Sequence, residues 1–355
     1  MKTKSVCLGI TLLAIVSMAQ SQEITDIYSN IGSSDVTVQG DVAGDQLRLD
    51  LIFGDQFLQT KLLSLDGPGT WIAVWNSFEA EKGSYQVCAK LLRGDRVLSQ
   101  SCSRFFYAGE TAVRFDVRDF NANSKGIHLS ILSQDPTIVD IYYMLITANK
   151  AIYISEDKSV TISSGMSLEL DRPWHQILDG GNEYSGRAKI VEPSHNQTRA
   201  YMMSFVAKDD ATITETYEDE TGASTTVLGN ARVPFTGRLR FTLSQNGTVL
   251  ETIEKKTPVL LLGKDETVEI SWNKTLNPGI YQLNVVLLGN NGDVRDVKES
   301  IVEAKPLPKS ANATATQKNS PLSPELSMAA LIFAVLLRHS RRNCDKKFPP
   351  KSKLI

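Results

Sequence analysis

The chain has 355 residues, a formal charge of −2 and only four cysteines. The C-terminal 18 residues carry seven Lys/Arg against one Asp, and Lys2 and Lys4 precede the first apolar run, so the stretch between is left at −10. A body that acidic is a poor nucleic-acid ligand, because phosphate contacts need a basic face.

At the N-terminus, Lys2 and Lys4 lead into apolar residues 6–16, and small residues follow at Ser17, Ala19 and Ser21. This is the layout of a secretory leader, residues 1–21, and the apolar run is about half of what a membrane span needs.

One phrase then recurs three times: a Trp ending an alternating segment, a short Gly-containing loop, and a Tyr opening another strand. The copies are Trp75 with Tyr85, Trp174 with Tyr184 and Trp272 with Tyr281; the tyrosines are spaced 99 and 97 residues apart. That period fits one β-sandwich per copy. The expected architecture is therefore all-β: three tandem, separately closed immunoglobulin-like β-sandwich modules over 22–107, 108–207 and 208–305.

In the first module, 46–51 and 70–75 read as strands, while 24–40 is hard to place. Cys88 lies three residues after Tyr85, on the opposite face of its strand, and Cys88 and Cys102 are symmetric about Asp95. A disulfide between directly opposite residues of adjacent strands, facing outward, is expected. The middle module is enlarged before its Trp, and residues 138–148 are either a buried strand or an extra element. In the third module, 237–243, 249 onward, 259–262, 267–272 and 281–285 read as short strands, with hairpin turns at 245–247 and 290–293.

Residues 306–325 are rich in Pro, Thr, Ala, Ser and Asn, which suits an extended spacer. Residues 326–337 are apolar but span only about 18 Å at 1.5 Å per residue. The basic tail 338–355 follows, and the positive-inside rule keeps it cytoplasmic. The membrane is thus a partner through this end.

Two resemblances follow. The Gly-x-Tyr of the penultimate strand resembles the tyrosine corner of immunoglobulin-like domains, which implies a hydroxyl-to-backbone tie at Tyr85 and Tyr281 and a weaker match at Tyr184. The spacer, Ser323-Pro324-Glu325-Leu326, the short apolar segment and the Arg cluster together resemble the C-terminal sorting signals of archaeal and bacterial surface proteins. In those families an archaeosortase-type transpeptidase cuts at the short motif and transfers the protein to a lipid anchor. The motif here is Pro-Glu-Leu where the family has Pro-Gly-Phe.

Candidate chemistry is sparse. Asn196, Asn246, Asn273 and Asn312 head N-glycosylation acceptor triplets. Arg93-Gly94-Asp95 is an integrin-type tripeptide at a hairpin tip, where Gly and Asp also belong for backbone reasons. Asp209-Asp210 and 218–220 read as a solvated acidic hairpin. His128, His175, His195 and His339 are scattered without metal-ligand spacing. Trp174-His175 reads as a core Trp with an exposed His rather than the wall of a carbohydrate groove. No nucleophile elbow, phosphate loop or zinc-protease motif occurs.

The expected role is that of a membrane-anchored extracellular surface protein, structural or adhesive, with no cofactor, no metal and no catalytic residue. Other envelope proteins or glycans are its expected contacts. A carbohydrate- or ligand-binding receptor using the middle module is one alternative; an extracellular hydrolase is another.

Overall fold

The computed structural model describes residues 21–107, 114–195 and 197–305. Residues 1–20 of the leader, the spacer, the apolar segment and the tail lie outside the described residues, as do Asn196, Asn312, His339 and the side chain of His195. The described chain is all-β. Its only helix is one 3₁₀ turn, Pro193–His195, and no described helix is long and apolar enough to cross a membrane.

The first segment supplies β1 (Glu23–Ser29), β2 (Ser33–Gln39), β3 (Gln46–Phe53), β4 (Gln56–Ser64), β5 (Gly69–Val74), β6 (Gly83–Arg93) and β7 (Arg96–Tyr107). The middle segment supplies β8 (Phe115–Ala122), β9 (Gly126–Ser133), β10 (Thr137–Thr147), β11 (Lys150–Ile162), β12 (Ser167–Pro173), β13 (Glu183–Glu192) and β14 (Gln197–Val206). The last supplies β15 (Ala211–Glu218), β16 (Gly222–Gly229), β17 (Arg238–Gln245), β18 (Thr248–Lys256), β19 (Asp265–Ser271), β20 (Gly279–Leu288) and β21 (Val294–Ala304).

Every named strand pairing is antiparallel, in five sheets: β1-β2-β5-β11-β10-β13-β14, β12-β9-β8, β15-β16-β19, β18-β17-β20-β21 and β4-β3-β6-β7. Alternation decides which side chains go inward. Leu47, Leu49 and Leu51 on β3 face Val36 and Val38 on β2 across one cluster, with Trp71, Trp75 and Tyr85. A second cluster joins Ile127, Leu129 and Ile131 of β9 to Ile141, Tyr143 and Leu145 of β10, with Trp174 and Tyr184. The third joins Leu239, Phe241 and Leu243 of β17 to Val268 and Ile270 of β19, with Trp272 and Tyr281. Each of these fully buried aliphatic side chains contributes about 1.5–3 kcal/mol through removal from water.

Residues 138–147 lie in β10, a central strand between β11 and β13, which decides the open choice there in favour of a buried strand. Other expectations change. Residues 259–262 form no strand; Leu260, buried in the third cluster, makes an isolated bridge to Phe235. The boundary near residue 107 is not a clean separation either. β5 continues into β11 through the pair Trp71–Lys150, and Ile72 N–H donates to Asn149 O at 2.7 Å. Ile72, Met144 and Ile146 make a fourth, smaller buried cluster from the faces that β5 and β10 turn away from their own cores.

Candidate functional site

The three aromatic pairs occupy matching places. Tyr85 donates its hydroxyl to Glu81 O at 2.8 Å, and Tyr281 donates to Asn277 O at 2.9 Å, each four residues upstream. Tyr184 differs: its hydroxyl accepts from Asp179 N–H at 3.2 Å, five residues upstream, consistent with the longer interval between Gly181 and this Tyr. Trp75, Trp174 and Trp272 are all buried.

A second repeat, missed in the sequence, sits under each Trp. Asn30 Oδ1 accepts from Gly32 and Ser33 N–H, Asn123 Oδ1 from Lys125 N–H, and Asp219 Oδ1 from Thr221 and Gly222 N–H. These Asx turns join the first two strands of each segment. The main-chain N–H groups of Trp75, Trp174 and Trp272 then donate to Gly32, Lys125 and Thr221 O at 3.0, 3.0 and 2.9 Å. The indoles of Trp174 and Trp272 also reach back, to Asn123 and Asp219 O. Hydrogen bonds from the Thr221 side chain and backbone hold the Asp219 carboxyl below the usual carboxylate range. In the second and third turns the residue three past the Asx is tightly confined: a Cβ on Gly126 would lie 2.0 Å from Arg172 O, and one on Gly222 would lie 2.1 Å from Ile270 O.

The most strongly charged buried group joins the first two segments. Arg187 and Lys189 stand on the face of β13 opposite Ala188 and Ile190, and point at β2. Arg187, fully buried, donates to Asp35 Oδ1 and to Ser33 Oγ at 2.6 Å each. Lys189 Nζ donates to Asp35 Oδ2 at 2.9 Å and to Asp26 Oδ2 at 3.1 Å. Asp35 is 1% exposed, so both its oxygens are neutralised out of water. The Tyr28 ring roofs the cluster, 5.9 Å from the Arg187 guanidinium and 5.1 Å from Lys189 Nζ. Burial works against the Lys189 charge, but Asp35 and Asp26 outweigh it and hold the ammonium above its usual range. Burial raises the Tyr28 phenol.

Around this cluster, Tyr28 Oη donates to Thr198 O and Asn30 Nδ2 donates to Ala200 O. Both acceptors lie on the edge of β14 that no described strand covers. On the other side, Lys150 pairs with Asp66 and lies over the Trp71 ring. Two cations, two carboxylates and a roof of tyrosine leave the cluster internally paired; its chemistry is cohesion between segments.

The disulfide Cys88–Cys102 is present, with Cα atoms 4.1 Å apart and the two residues directly opposite in register. Cys102 is exposed, and Cys88 faces away from Val87 and Ala89. A bulge at Leu91/Leu92 sets that register, because the turn itself pairs Arg93 with Arg96. Arg93 is held by Asp45 at 2.7 and 3.0 Å and by Asp41 O, so the guanidinium of the Arg-Gly-Asp turn is already engaged.

Asp209 corrects the solvated acidic hairpin: it is 4% exposed and takes hydrogen bonds from Arg295 and Asn290 N–H. Asn246 and Asn273, with Thr248 and Thr275, are exposed. Trp174 is core, and His175 lies beside the Tyr153 ring. None of the exposed large apolar residues described in the middle segment is aromatic.

His128 on β9 has the densest titratable surroundings. Its Nδ1 lies 2.9 Å from Asp171 Oδ1, and its Nε2 lies 3.4 Å from Glu169 and 3.7 Å from Asp119. The Asp171 hydrogen bond raises the imidazole, with further help from Asp119 and Glu169. Hydrogen bonds from Ser130 and Ser167 lower Glu169. Among the described residues no group of three or more His, Cys, Asp or Glu is placed to hold a metal ion.

No family model and no curated protein matches the chain. Solved structures do resemble it. A tetra-tandem repeat from the extending region of a large adhesion protein is 11% identical over 80% of this chain and 74% of its own, with a TM-score of 0.25. A two-domain fibronectin type III segment of chicken tenascin is 16% identical over 53% of this chain and 97% of its own, TM-score 0.27. Trypsin-activated α2-macroglobulin from Escherichia coli is 12% identical over 81% of this chain but only 24% of its own length, TM-score 0.24. At scores this low, none of these likenesses carries an argument about function.

Proposed function

We propose that the chain is a secreted, C-terminally anchored surface protein that works as a stiff structural or adhesive spacer. Its body is three immunoglobulin-like β-sandwich modules over 22–107, 108–207 and 208–305. Residues 306–325 form the stalk, and 326–355 form an anchor or an archaeosortase-type sorting signal of the archaeal envelope kind. No catalysis and no cofactor enter this role, and its partners are the membrane and neighbouring envelope proteins or glycans.

The observation that carries the reading is the threefold corner. Each of three separate apolar clusters contains the Trp and the corner Tyr of the repeated phrase (the first holds Trp71 as well), and Trp75, Trp174 and Trp272 are each docked on an Asx turn. A repeated closing device is what a spacer needs, and the buried ion cluster stiffens its first joint.

Protease added to intact native cells checks the placement. A soluble fragment ending near residue 305 is expected in the supernatant, with its N-terminus near residue 22. Recovery of the full chain from the cytosol, untouched by the protease, would overturn the proposal.

A further inference from the structure

The end of the third segment from which the chain leaves toward residue 306 carries an unusual surface. By register, Val249 on β18, Ser244 on β17, Gln282 on β20 and Ile301 on β21 form one row across the sheet. Leu243, Tyr281, Leu283 and Val302, next along the strands, belong to the core, so this row faces outward. Val249 is 59% exposed, Ile301 68%, and Ile280, two residues from Gln282 on the same face, 67%. At about 4.8 Å per strand step, the row is roughly 14 Å across.

Two acceptor triplets lie at its β18 side. Asn246 is at the tip of the β17–β18 hairpin, in the left-handed region at φ 51°, and is followed by exposed Gly247 and Thr248. Asn273 opens the β19–β20 loop. Its N–H donates to the Glu251 carboxylate of β18 at 3.2 and 3.3 Å, which places it beside the uncovered edge of that strand. The chain's exit is at the same end, because Ala304 pairs with Gly279, and a Cβ on Gly279 would lie 3.1 Å from Gln245 Nε2.

We propose that Asn246 and Asn273 carry N-linked glycans, and that these lie over the Val249–Ile280–Ile301 face as a collar at the base of the body. The inference rests on the reading of an exported chain, since glycan transfer needs the extracytoplasmic side. Acceptor side chain and hydroxyl are accessible at both sites, and both lie in connections between strands, where an enzyme can bind the triplet without opening a sheet. An oligosaccharide is bulky and solubilising, and the hydrocarbon faces of its rings cover aliphatic side chains well. Bare, the diagonal neighbours Ile280 and Ile301, with Val249 beyond Gln282 and Ser244, are open to association.

The test uses the full chain expressed in its native host. Peptides spanning residues 246 and 273 are expected to carry added saccharide mass. The double variant Thr248→Ala with Thr275→Ala removes both acceptor sequences and keeps both asparagines. It is expected to lose that mass and to shift in sedimentation velocity from monomer to self-associated species. Adding Ile280→Thr and Ile301→Thr to it is expected to restore the monomer.

Unmodified peptides from a protein that is nonetheless protease-accessible on cells would overturn the collar and leave the surface reading standing. Modified peptides with a double variant that stays monomeric would remove the covering role. Unmodified protein that binds phosphatidylglycerol vesicles, and loses that binding with Ile280→Thr and Ile301→Thr, would assign the face to a membrane instead. A cytosolic chain would end both proposals.

Discussion

Removing the Asp35 carboxylate is the sharpest perturbation available. In Asp35→Ala the fully buried Arg187 keeps its hydrogen bond to Ser33 but loses its counter-charge, and Lys189 keeps only Asp26, which is 59% exposed. Arg187 cannot deprotonate to relieve the cost. Stranding one member of a buried ion pair costs about 3–5 kcal/mol. With a urea dependence of about 2 kcal/mol/M, the transition that reports the first two segments falls by about 1.5–2.5 M. Tryptophan fluorescence, with the C-terminal segment followed by an independent probe, reads it. The paired variant Asp35→Leu with Arg187→Met removes both charges and is expected to recover most of the loss, because buried ion pairs gain little over apolar packing. A shift of less than about 0.5 M in Asp35→Ala, about 1 kcal/mol at that slope, would show that water reaches these charges and would refute the account of the joint.

Further outcomes are expected elsewhere. Cys88→Ser with Cys102→Ser opens a link with a sequence separation of 14 and should cost about 3 kcal/mol by the chain-entropy model, read in chemical denaturation with the third segment unaffected. Gly222→Ala drives a methyl group into Ile270 O and should destabilise the third segment by about 1–3 kcal/mol, whereas Gly247→Ala at the hairpin tip meets no neighbour and is strained only through its φ of 78°. His128 should titrate above the usual imidazole range by NMR and move back toward it in Asp171→Asn. Because its folded value is raised, the stabilisation from this cluster is full below the unfolded value and is lost as pH rises through the folded one. Exposure of the site keeps that term small.

What could be read from the chain was whatever repeated at close range. Trp75, Trp174 and Trp272, each a few residues from a Gly and a Tyr, announce the corner because the whole device fits in about a dozen residues. Cys88 and Cys102 were legible for the same reason: a hairpin fixes which residues stand opposite. The Asx turns under the tryptophans recur equally well, but Asn30, Asn123 and Asp219 lie far upstream of their partners in otherwise unlike loops. A small residue three positions on (Ser33, Gly126, Gly222) was the available signal. Asp35 and Arg187 are 152 residues apart, and along β13 the charges alternate with apolar residues as they would on any solvated face. Only the neighbouring segment turns that face into an interior, and no local pattern records it.

The two hydrogen bonds from Tyr28 and Asn30 to β14 reach beyond the joint they help to make. A long antiparallel sheet ordinarily offers its last strand as a template for someone else's. Here the carbonyls of Thr198 and Ala200 are already spoken for by side chains of the same molecule. Where two copies meet, backbone pairing at these two positions is opposed, and contact there is steered to side chains rather than backbone.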